Sequence, residues 1–483
     1  MPDASLNDRH MTPLFINGRW ERGEASEAVP VMNPATGEAL YELSLANPRQ
    51  LDRAVESAGA AFLKWRDVEA VQRARILHQA ANLLRERREN IARSITREQG
   101  KPLREALGEV ANASDVFDWY AEESRRSYGR IIPSRKPGLE SIVDLEPLGV
   151  VAAFTPWNVP CLASAKKIGA ALAAGCTLVI KPPEETPSAA IEIARALAES
   201  GLPDGVLNVV FGVPHVVSEH LIDRPEVQKV SLTGSQRAGR EIARLCARHT
   251  KRSSLELGGS APVIICEDAD PEAAAALLLP AKFANAGQLC ISPTRFFVHE
   301  SVYEGFLDFV AGRVSVMRLG DGMDPDTAMG PLANTRRVAA VEALVEDAVS
   351  TGAKIRARSD RNPNAGNFHP AILLSDVGDE ARIMREEPFG PVIPVQPFTN
   401  LDSAVEKANG LDFGLAGYAF SSSHSTLRRL RRDIEVGVLG LNTCDISGPE
   451  TPFVGIKGSG YGFKGGLEGL REYYNVKYVA EAF

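Results

Sequence analysis

The spacing of apolar residues changes twice along the chain. Over the first ~45 residues, short apolar pairs such as Phe15-Ile16 alternate with turn residues, which predicts short strands. Asn47-Pro48 then suits the cap and first position of a helix. Apolar positions recur every ~3.6 residues behind it, which predicts helices over 48–65, 69–99 and 102–127.

From about residue 141, short apolar runs alternate with helical segments. Strands are predicted at 150–154, 177–180, 206–211, 227–232, 262–265, 294–299 and 392–398. Helices are predicted at 160–174, 187–200, 214–223, 271–286, 301–316, 334–351 and 401–409. This alternation of strands and helices predicts an α/β fold of two doubly wound lobes. In such a fold helices cover parallel sheets, and ligands bind at the carboxyl ends of the strands.

Two segments do not follow the alternation of strands and helices. Residues 125–141 are rich in Arg, Lys, Pro and Gly, and 471–483 form a tail after the second lobe. We interpret both either as strands that pair between subunits or as solvated hairpins.

Composition and charge argue against several classes of function. The net charge of −8 argues against a nucleic-acid partner, and the longest apolar run, 168–180, is shorter than the ~20 residues of a membrane span. Residues 1–10 are polar and give no sign of a secretory signal. Six cysteines without a CxxC pair fit reduced thiols in the cytoplasm, and no metal-ligand spacing of His and Cys predicts a metal site.

Cys290 is a candidate nucleophile. It follows Gly287 and Gln288 at the end of an apolar helix, where glycine lets another chain segment approach closely. A thiolate there could attack a carbonyl carbon and form a thiohemiacetal. The alternative is a small buried hydrophobe, the commoner role of a lone cysteine.

Two other polar residues follow predicted strands. Glu256 precedes Gly258-Gly259, so its carboxylate could act as a general base in a cleft or simply face solvent. Asn158 could donate its amide to a developing oxyanion or form a turn.

Candidate ligand contacts occur at two further strand ends. Lys181 and Glu184 could hydrogen-bond ribose hydroxyls or form an exposed charged loop. Thr233-Gly-Ser235 is a glycine-bearing turn that gives only a weak phosphate-binding signal. The segment Gly458–Gly462 lacks a preceding strand and is interpreted as a flexible turn, and the arginines at 428–432 as a solvated helix face.

The order of seven motifs along the chain resembles the NAD(P)-dependent aldehyde dehydrogenase superfamily from about Phe15 to Val479. The motifs are Thr155-Pro-Trp-Asn158, Lys181-Pro-Pro-Glu184, Thr233-Gly-Ser235, Glu256-Leu-Gly-Gly259, Gly287-Gln-Leu-Cys290, Glu387-Pro-Phe-Gly-Pro391 and Pro452-Phe-Val-Gly-Ile-Lys-Gly-Ser-Gly460. The region Pro156–Pro160 and the tail at 477–479 most resemble the succinate-semialdehyde dehydrogenase branch.

The resemblance implies roles for the catalytic residues. Cys290 would be the nucleophile, Glu256 would activate the thiol or the hydrolytic water, and Asn158 with the Cys290 backbone N–H would form the oxyanion hole. Lys167 would help to position these groups. The implied reaction oxidises an aldehyde to a carboxylic acid with NAD through a thiohemiacetal and a thioester.

The resemblance also implies a cofactor site. Lys181 and Glu184 would hold the adenosine ribose, and Glu387 the nicotinamide ribose. The full implied set is Pro156, Trp157, Lys181, Glu184, Gly234, Ser235, Leu257, Glu387 and Phe389. Because Glu184 would repel a 2′-phosphate, we expect NAD rather than NADP.

The implied architecture has three parts. A Rossmann-like NAD-binding domain would comprise 1–124 and 146–256, and a catalytic domain 257–442, continuing to about residue 470. Residues 125–145 and 471–483 would be oligomerisation strands, so a homodimer or homotetramer is expected.

The substrate pocket departs from the resembling branch, whose members typically hold a carboxylate with two arginines. Lys166 and Ala284 stand at those positions. The lysine offers a carboxylate a single point charge instead of the bidentate fork of an arginine, and the alanine offers no charge. The expected pocket residues are Val159, Leu162, Lys166, Ala284, Leu289 and Phe453. We expect a larger or less charged aldehyde, aromatic or medium-chain aliphatic, with a distant anionic group near Lys166.

Other functions remain open. If a loop residue such as Lys457 replaced the missing arginine, succinate semialdehyde itself would be the substrate. A nicotinamide-independent thiol esterase, a coenzyme-A-acylating enzyme or a non-catalytic protein would use only part of the motif set.

Overall fold

The computed structural model describes residues 13–360 and 366–483, so the prediction made from residues 1–10 lies outside the described part of the chain. The helices are α1 (Pro48–Trp65), α2 (Ala70–Glu86), α3 (Arg88–Gln99), α4 (Leu103–Ser124), α5 (Pro160–Ala174), α6 (Ser188–Glu199), α7 (Pro214–Asp223), α8 (Gln236–Arg248), α9 (Pro271–Phe283), α10 (Glu300–Ser315), α11 (Thr335–Ser350), α12 (Leu401–Asn409), α13 (His424–Asp433) and α14 (Gly466–Arg471). The strands are β1 (Leu14–Ile16), β2 (Arg19–Glu21), β3 (Ala28–Met32), β4 (Ala39–Ser44), β5 (Arg130–Ile132), β6 (Leu139–Pro147), β7 (Val150–Phe154), β8 (Thr177–Lys181), β9 (Leu207–Val209), β10 (Val227–Thr233), β11 (Arg252–Glu256), β12 (Ala261–Ile265), β13 (Pro293–His299), β14 (Lys354–Arg358), β15 (Ile372–Ser375), β16 (Val392–Phe398), β17 (Ala416–Phe420), β18 (Val438–Leu441), β19 (Gly460–Tyr461) and β20 (Tyr474–Ala482).

The first lobe is built on an eight-stranded sheet in the order β19-β11-β10-β7-β8-β9-β1-β2. Its five central strands are parallel, and the chain winds outward from β7 in both directions. Such a sheet has its topological switch point between β7 and β10, where ligands bind beyond the carboxyl ends of the strands. The turns at Thr155–Asn158 and Thr233–Ser235 lie at that point.

The second lobe is built on a seven-stranded sheet in the order β14-β15-β16-β13-β12-β17-β18. All its pairings are parallel except β14 with β15. The predicted α/β fold with two doubly wound lobes is confirmed.

The buried position of several strands and helices in the first lobe explains their apolar sequences. Strands β7 and β8 are buried along their whole length, as parallel strands covered on both faces should be. Helix α5 is apolar almost all round and packs inside the first lobe, which accounts for the apolar run over 168–180. Among the described residues, no helix is both long enough and apolar enough to cross a bilayer.

The internal segment that contains β5 and β6 and the C-terminal tail meet in a third sheet. Strand β20 pairs antiparallel with β6 along nine residues, and β6 pairs with β5. The two segments that do not follow the strand–helix alternation therefore pair with each other as strands within one chain.

The glycine-rich segment near residue 460 is ordered, which corrects the prediction of a flexible turn. Its strand β19 pairs antiparallel with β11 and forms the edge of the first sheet. The chain thus returns to the first lobe about ten residues before the expected end of the catalytic domain near residue 470.

The two sheets are joined by a short segment between β11 and β12. Strand β11 of the first sheet ends at Glu256, and β12 of the second begins at Ala261. The carboxyl edge of the first sheet therefore meets the amino edge of the second, and Cys290 precedes β13 at that same edge.

Candidate active site

Cys290 and Glu256 come together between the lobes. The Cys290 thiol donates to Oε1 of Glu256 across 3.4 Å. Cys290 is reached through a 3₁₀ turn at Ala284–Gly287, in which Asn285 and Ala286 have φ values of 51° and 54°. This left-handed backbone is unusual for residues other than glycine, and it turns the chain from α9 towards Cys290.

The charges around this pair set its resting protonation. Burial and the carboxylates of Glu256 and Glu387 raise the pKa of the Cys290 thiol well above its ordinary value. Burial alone would also raise the pKa of Glu256, but the neighbouring lysine ammoniums, first among them Lys464, outweigh it and lower that pKa to about 2. The resting pair is therefore a neutral thiol beside an ionised carboxylate.

Lys464 is a site residue that sequence reasoning missed. Its ammonium forms an ion pair with Oε2 of Glu256 and hydrogen-bonds Oγ1 of Thr233, and its side chain is 9% exposed. It lies 208 residues from Glu256 in the chain, so no local spacing signals the contact.

Two adjacent lysines on α5 lie behind the pair. Lys167 is buried and donates to Oγ of Ser231 at 3.0 Å, and burial lowers its pKa well below the ordinary value. The Lys166 ammonium lies 5.2 Å from the centroid of the Phe453 ring. In the part of the chain that the structure describes, this ammonium makes that cation–π contact and no hydrogen bond or ion pair.

Asn158 is buried beside the loop that leads to Cys290. Its Nδ2 donates to the Gln288 carbonyl at 2.9 Å, and a second amide hydrogen remains for another acceptor. The structure thus brings Asn158 to residues 284–290, the cysteine loop, and its role in an oxyanion hole stays a prediction.

A buried polar network fixes the Asn158 backbone. Lys101 Nζ and Asn285 Nδ2 both donate to the Asn158 carbonyl, at 2.7 and 2.9 Å. Lys101 forms a buried ion pair with Glu109, which in turn accepts the N–H of Cys161 at 2.8 Å. Sequence reasoning missed Lys101, Glu109 and Asn285, which tie the first-lobe helices to the cysteine loop.

The predicted adenosine contacts are adjacent in the structure. Lys181 ends β8 and forms an ion pair with Glu184 at 2.6 Å. The other carboxylate oxygen of Glu184 accepts the N–H of Gly212 at 3.1 Å. A nucleoside at this strand end would therefore meet a fixed carboxylate and an ammonium.

The predicted pyrophosphate turn leads into α8. Ser235 caps this helix by accepting the N–H of Ala238, and Gly234 donates its own N–H to the Glu256 carbonyl at 3.0 Å. A Cβ at Gly239 would lie 2.4 Å from both methyl carbons of Leu257, so glycine allows α8 to pack against β11. A helix N-terminus at a switch point is a suitable place for phosphate oxygens.

Glu387 crosses from the second lobe to the first. Its Oε1 accepts the N–H of Gly259 at 3.1 Å, and burial raises its pKa to about 7. Phe389 meets Trp157 edge-on, with ring centroids 5.6 Å apart, and Pro156 stands beside them at the switch-point turn. A buried carboxylate with one backbone donor can still accept from ribose hydroxyls, so the residues present fit a nicotinamide dinucleotide.

Of the predicted substrate residues, Phe453 lies beside the Lys166 ammonium. Leu162 and Lys166 lie four residues apart on α5, whose N-terminal cap is Val159. Ala284 and Leu289 precede Cys290 in the chain and are both partly exposed. Lys457 is engaged elsewhere, with the Asn409 carbonyl and Glu435, so it does not replace the missing arginine.

Comparison with known proteins gives consistent matches along nearly the whole chain. The profile of the Aldehyde dehydrogenase family matches residues 20–479. The chain is 46% identical over 466 residues to 4-(hydroxymethyl)benzenesulfonate dehydrogenase TsaD1 of Comamonas testosteroni, covering 96% of this chain and 97% of the other. It is 39% identical over 476 residues to succinate-semialdehyde dehydrogenase [NADP(+)] GabD of Escherichia coli, covering 98% and 99%.

Solved structures agree with the sequence matches. The crystal structure of succinate-semialdehyde dehydrogenase from Burkholderia pseudomallei superposes with a TM-score of 0.97 at 38% identity, over 100% of both chains.

Proposed function

The chain belongs to the aldehyde dehydrogenase family, and from that premise we propose that it oxidises an aldehyde to a carboxylic acid with NAD. The observation that carries the proposal is the contact of the Cys290 thiol with the Glu256 carboxylate, with Asn158 at the same loop. A nicotinamide-independent thiol esterase would leave Glu387 and the Lys181–Glu184 pair without a ligand.

In the proposed mechanism, Cys290 attacks the aldehyde carbon as a thiolate, and its proton passes to Glu256. The carbonyl oxygen becomes an oxyanion, which accepts hydrogen bonds from the free amide hydrogen of Asn158 and from the Cys290 N–H. When bound, NAD supplies the acceptor for the hydride that leaves the thiohemiacetal carbon.

Hydrolysis of the resulting thioester completes the reaction. Glu256, having released the thiol proton to solvent, takes a proton from water as the water attacks the acyl carbon. The Cys290 thiolate leaves and regains that proton, and the carboxylic acid ionises. The balance is one aldehyde, one water and one NAD⁺ converted to one carboxylate, one NADH and two protons.

The preference for NAD is supported by Glu184. Its carboxylate is held by Lys181 and by the Gly212 N–H, so it cannot leave the strand end without losing both contacts. A 2′-phosphate at that place would meet a like charge.

For the substrate we propose an aromatic aldehyde that carries a distal anionic group. Lys166 supports this proposal, since its ammonium lies over the Phe453 ring near the Glu256 carboxylate but forms no ion pair or hydrogen bond among the described residues. The printed name of the Comamonas relative describes an aromatic ring with a sulfonate, a combination of the same chemical class.

The substrate proposal is tested with 4-formylbenzenesulfonate, benzaldehyde and succinate semialdehyde. We expect 4-formylbenzenesulfonate to have the highest kcat/KM, and Lys166→Met to lower it at least tenfold while benzaldehyde changes less than threefold. Lys457→Met is the matched control, because it removes a lysine charge from an ion pair elsewhere. A preference for succinate semialdehyde that Lys166→Met abolishes would refute the aromatic assignment.

The oxidation itself is tested with Cys290→Ala. We expect this variant to bind NAD but to form no NADH, because no other group can form the covalent intermediate. Retention of more than about a hundredth of wild-type kcat would remove Cys290 from the mechanism.

We also propose that the enzyme is a homodimer or homotetramer in a reducing, cytoplasmic compartment. The outer sheet β5-β6-β20 exposes apolar side chains that a second copy would cover, namely Ile131, Val476 and Tyr478. All six cysteines are free thiols.

A further inference from the structure

Lys464 reaches the general base from a different part of the chain. It follows β19, and its backbone pairs with Phe453 through N–H···O bonds in both directions. Its ammonium contacts Glu256 and Thr233, and lies 3.4 Å from the Leu232 carbonyl. Lys464 is thus held by two residues of β10 in addition to the carboxylate.

The two oxygens of the Glu256 carboxylate have different partners. Its Oε2 receives Lys464 and the Thr233 hydroxyl, the latter at 3.3 Å, while Oε1 faces the Cys290 thiol. A free glutamate side chain would lose rotamer freedom to reach this orientation, and the ion pair supplies a fixed anchor for it.

Among the described residues, several charged or titratable groups act on the Glu256–Cys290 pair. Lys166 and Lys167 approach from α5, Lys464 from the segment after β19, and Cys290 from the cysteine loop, while Glu387 acts on the thiol. Of the three ammoniums, only Lys464 forms an ion pair with the carboxylate.

We propose that Lys464 is a positioning residue, which holds Glu256 ionised and aimed at Cys290 throughout the working pH range. The inference rests on the proposed function, in which Glu256 is the general base. It adds that the base is held by a specific ion pair, so that a carboxylate surrounded by protein remains able to take a proton.

Loss of the ion pair has a defined consequence. In Lys464→Met the burial that raises the pKa of Glu256 is opposed by Lys167 and Lys166, which form no ion pair with it, and by the Thr233 hydroxyl. We expect the pKa of Glu256 to rise, so that its carboxylate becomes protonated at mildly acid pH.

The first measurement is kcat/KM between about pH 4.5 and about pH 9. Wild type is expected to show no acid limb that arises from Glu256, whereas Lys464→Met shows a new one and loses at least tenfold at its acid end. Lys464→Arg should restore the wild-type shape, because it keeps the charge. Lys457→Met removes a charge seven residues away and should leave the profile unchanged.

The second measurement uses the protein without cofactor or aldehyde. The rate at which iodoacetamide alkylates Cys290 is followed over the same pH range, and Lys464→Met should gain an ionisation step at the pH of its acid limb. This arm does not depend on aldehyde turnover, so failure of the proposed function and failure of this inference give different results.

The shape of the Lys464→Met pH profile decides whether the inference holds. A Lys464→Met profile that keeps the wild-type shape at a uniformly lower rate would show a merely structural role and overturn the inference. If the arginine does not fit, as judged by the thermal melting midpoint, the shape of the Lys464→Met profile decides alone.

Discussion

Replacing Glu184 by glutamine is expected to shift the enzyme from NAD towards NADP. The change removes the charge but keeps an oxygen that accepts the Gly212 N–H, so the strand end should retain its shape. Lys181 then loses its ion-pair partner and becomes available to a 2′-phosphate.

The size of the change in cofactor preference depends on two opposing interactions. Glu184 repels a 2′-phosphate, and Lys181 cancels part of that repulsion. Two unit charges ~4 Å apart interact by about 4 kcal/mol under partly buried conditions and about 1 kcal/mol in water. The Lys181 ammonium, 2.6 Å from Glu184, cancels part of the repulsion between Glu184 and the phosphate. A remaining ~1.4–3 kcal/mol corresponds to a change of about 10–150-fold in relative kcat/KM.

The assay compares kcat/KM for the two cofactors at one saturating aldehyde concentration. Glu199→Gln is the matched control, since it removes a carboxylate that pairs with Arg87 at the other end of α6. If wild type already prefers NADP, or if Glu184→Gln changes the ratio less than threefold, the assignment of Glu184 to the adenosine ribose is wrong.

Three further outcomes are expected. Glu256→Gln should lower kcat by about 10²–10⁴ in steady-state turnover, and an unchanged kcat would exclude it as the base. Gly239→Val should destabilise the fold by about 1–3 kcal/mol, measured by denaturant unfolding, because its Cβ would lie 2.4 Å from the Leu257 methyl carbons. Tyr478→Asp should weaken self-association in sedimentation experiments, whereas Lys477→Gln, which removes an exposed ion pair with Glu146, should not.

Periodicity predicted the elements of the first lobe better than the strands of the second. Helices at 160–174 and 214–223 have the predicted bounds, because their apolar faces are set by one continuous core. Strands β14, β15, β17 and β18 of the second sheet were not predicted. Strands β15 and β17 are buried but only four and five residues long, β14 is mostly exposed, and β18 is a four-residue edge strand. The pairing of such short strands depends on tertiary neighbours, which local patterning does not encode.

The candidate site was also predicted in part. Cys290, Glu256 and Asn158 lie in short motifs that become recognisable through their order along the chain. Lys464 and Lys101 contact the site through Glu256 and the Asn158 carbonyl, 208 and 57 residues away, so composition and spacing gave no reason to select them.

The antiparallel contact between β11 and β19 also determines the order in which the chain can fold. During synthesis β11 is made about two hundred residues before β19, and until then one side of the parallel sheet is an open edge. Open edges pair readily with other chains, and contacts between distant residues form slowly. A chain that ends before Gly460 would therefore aggregate in competition with folding, so the C-terminal segment governs the yield of folded enzyme.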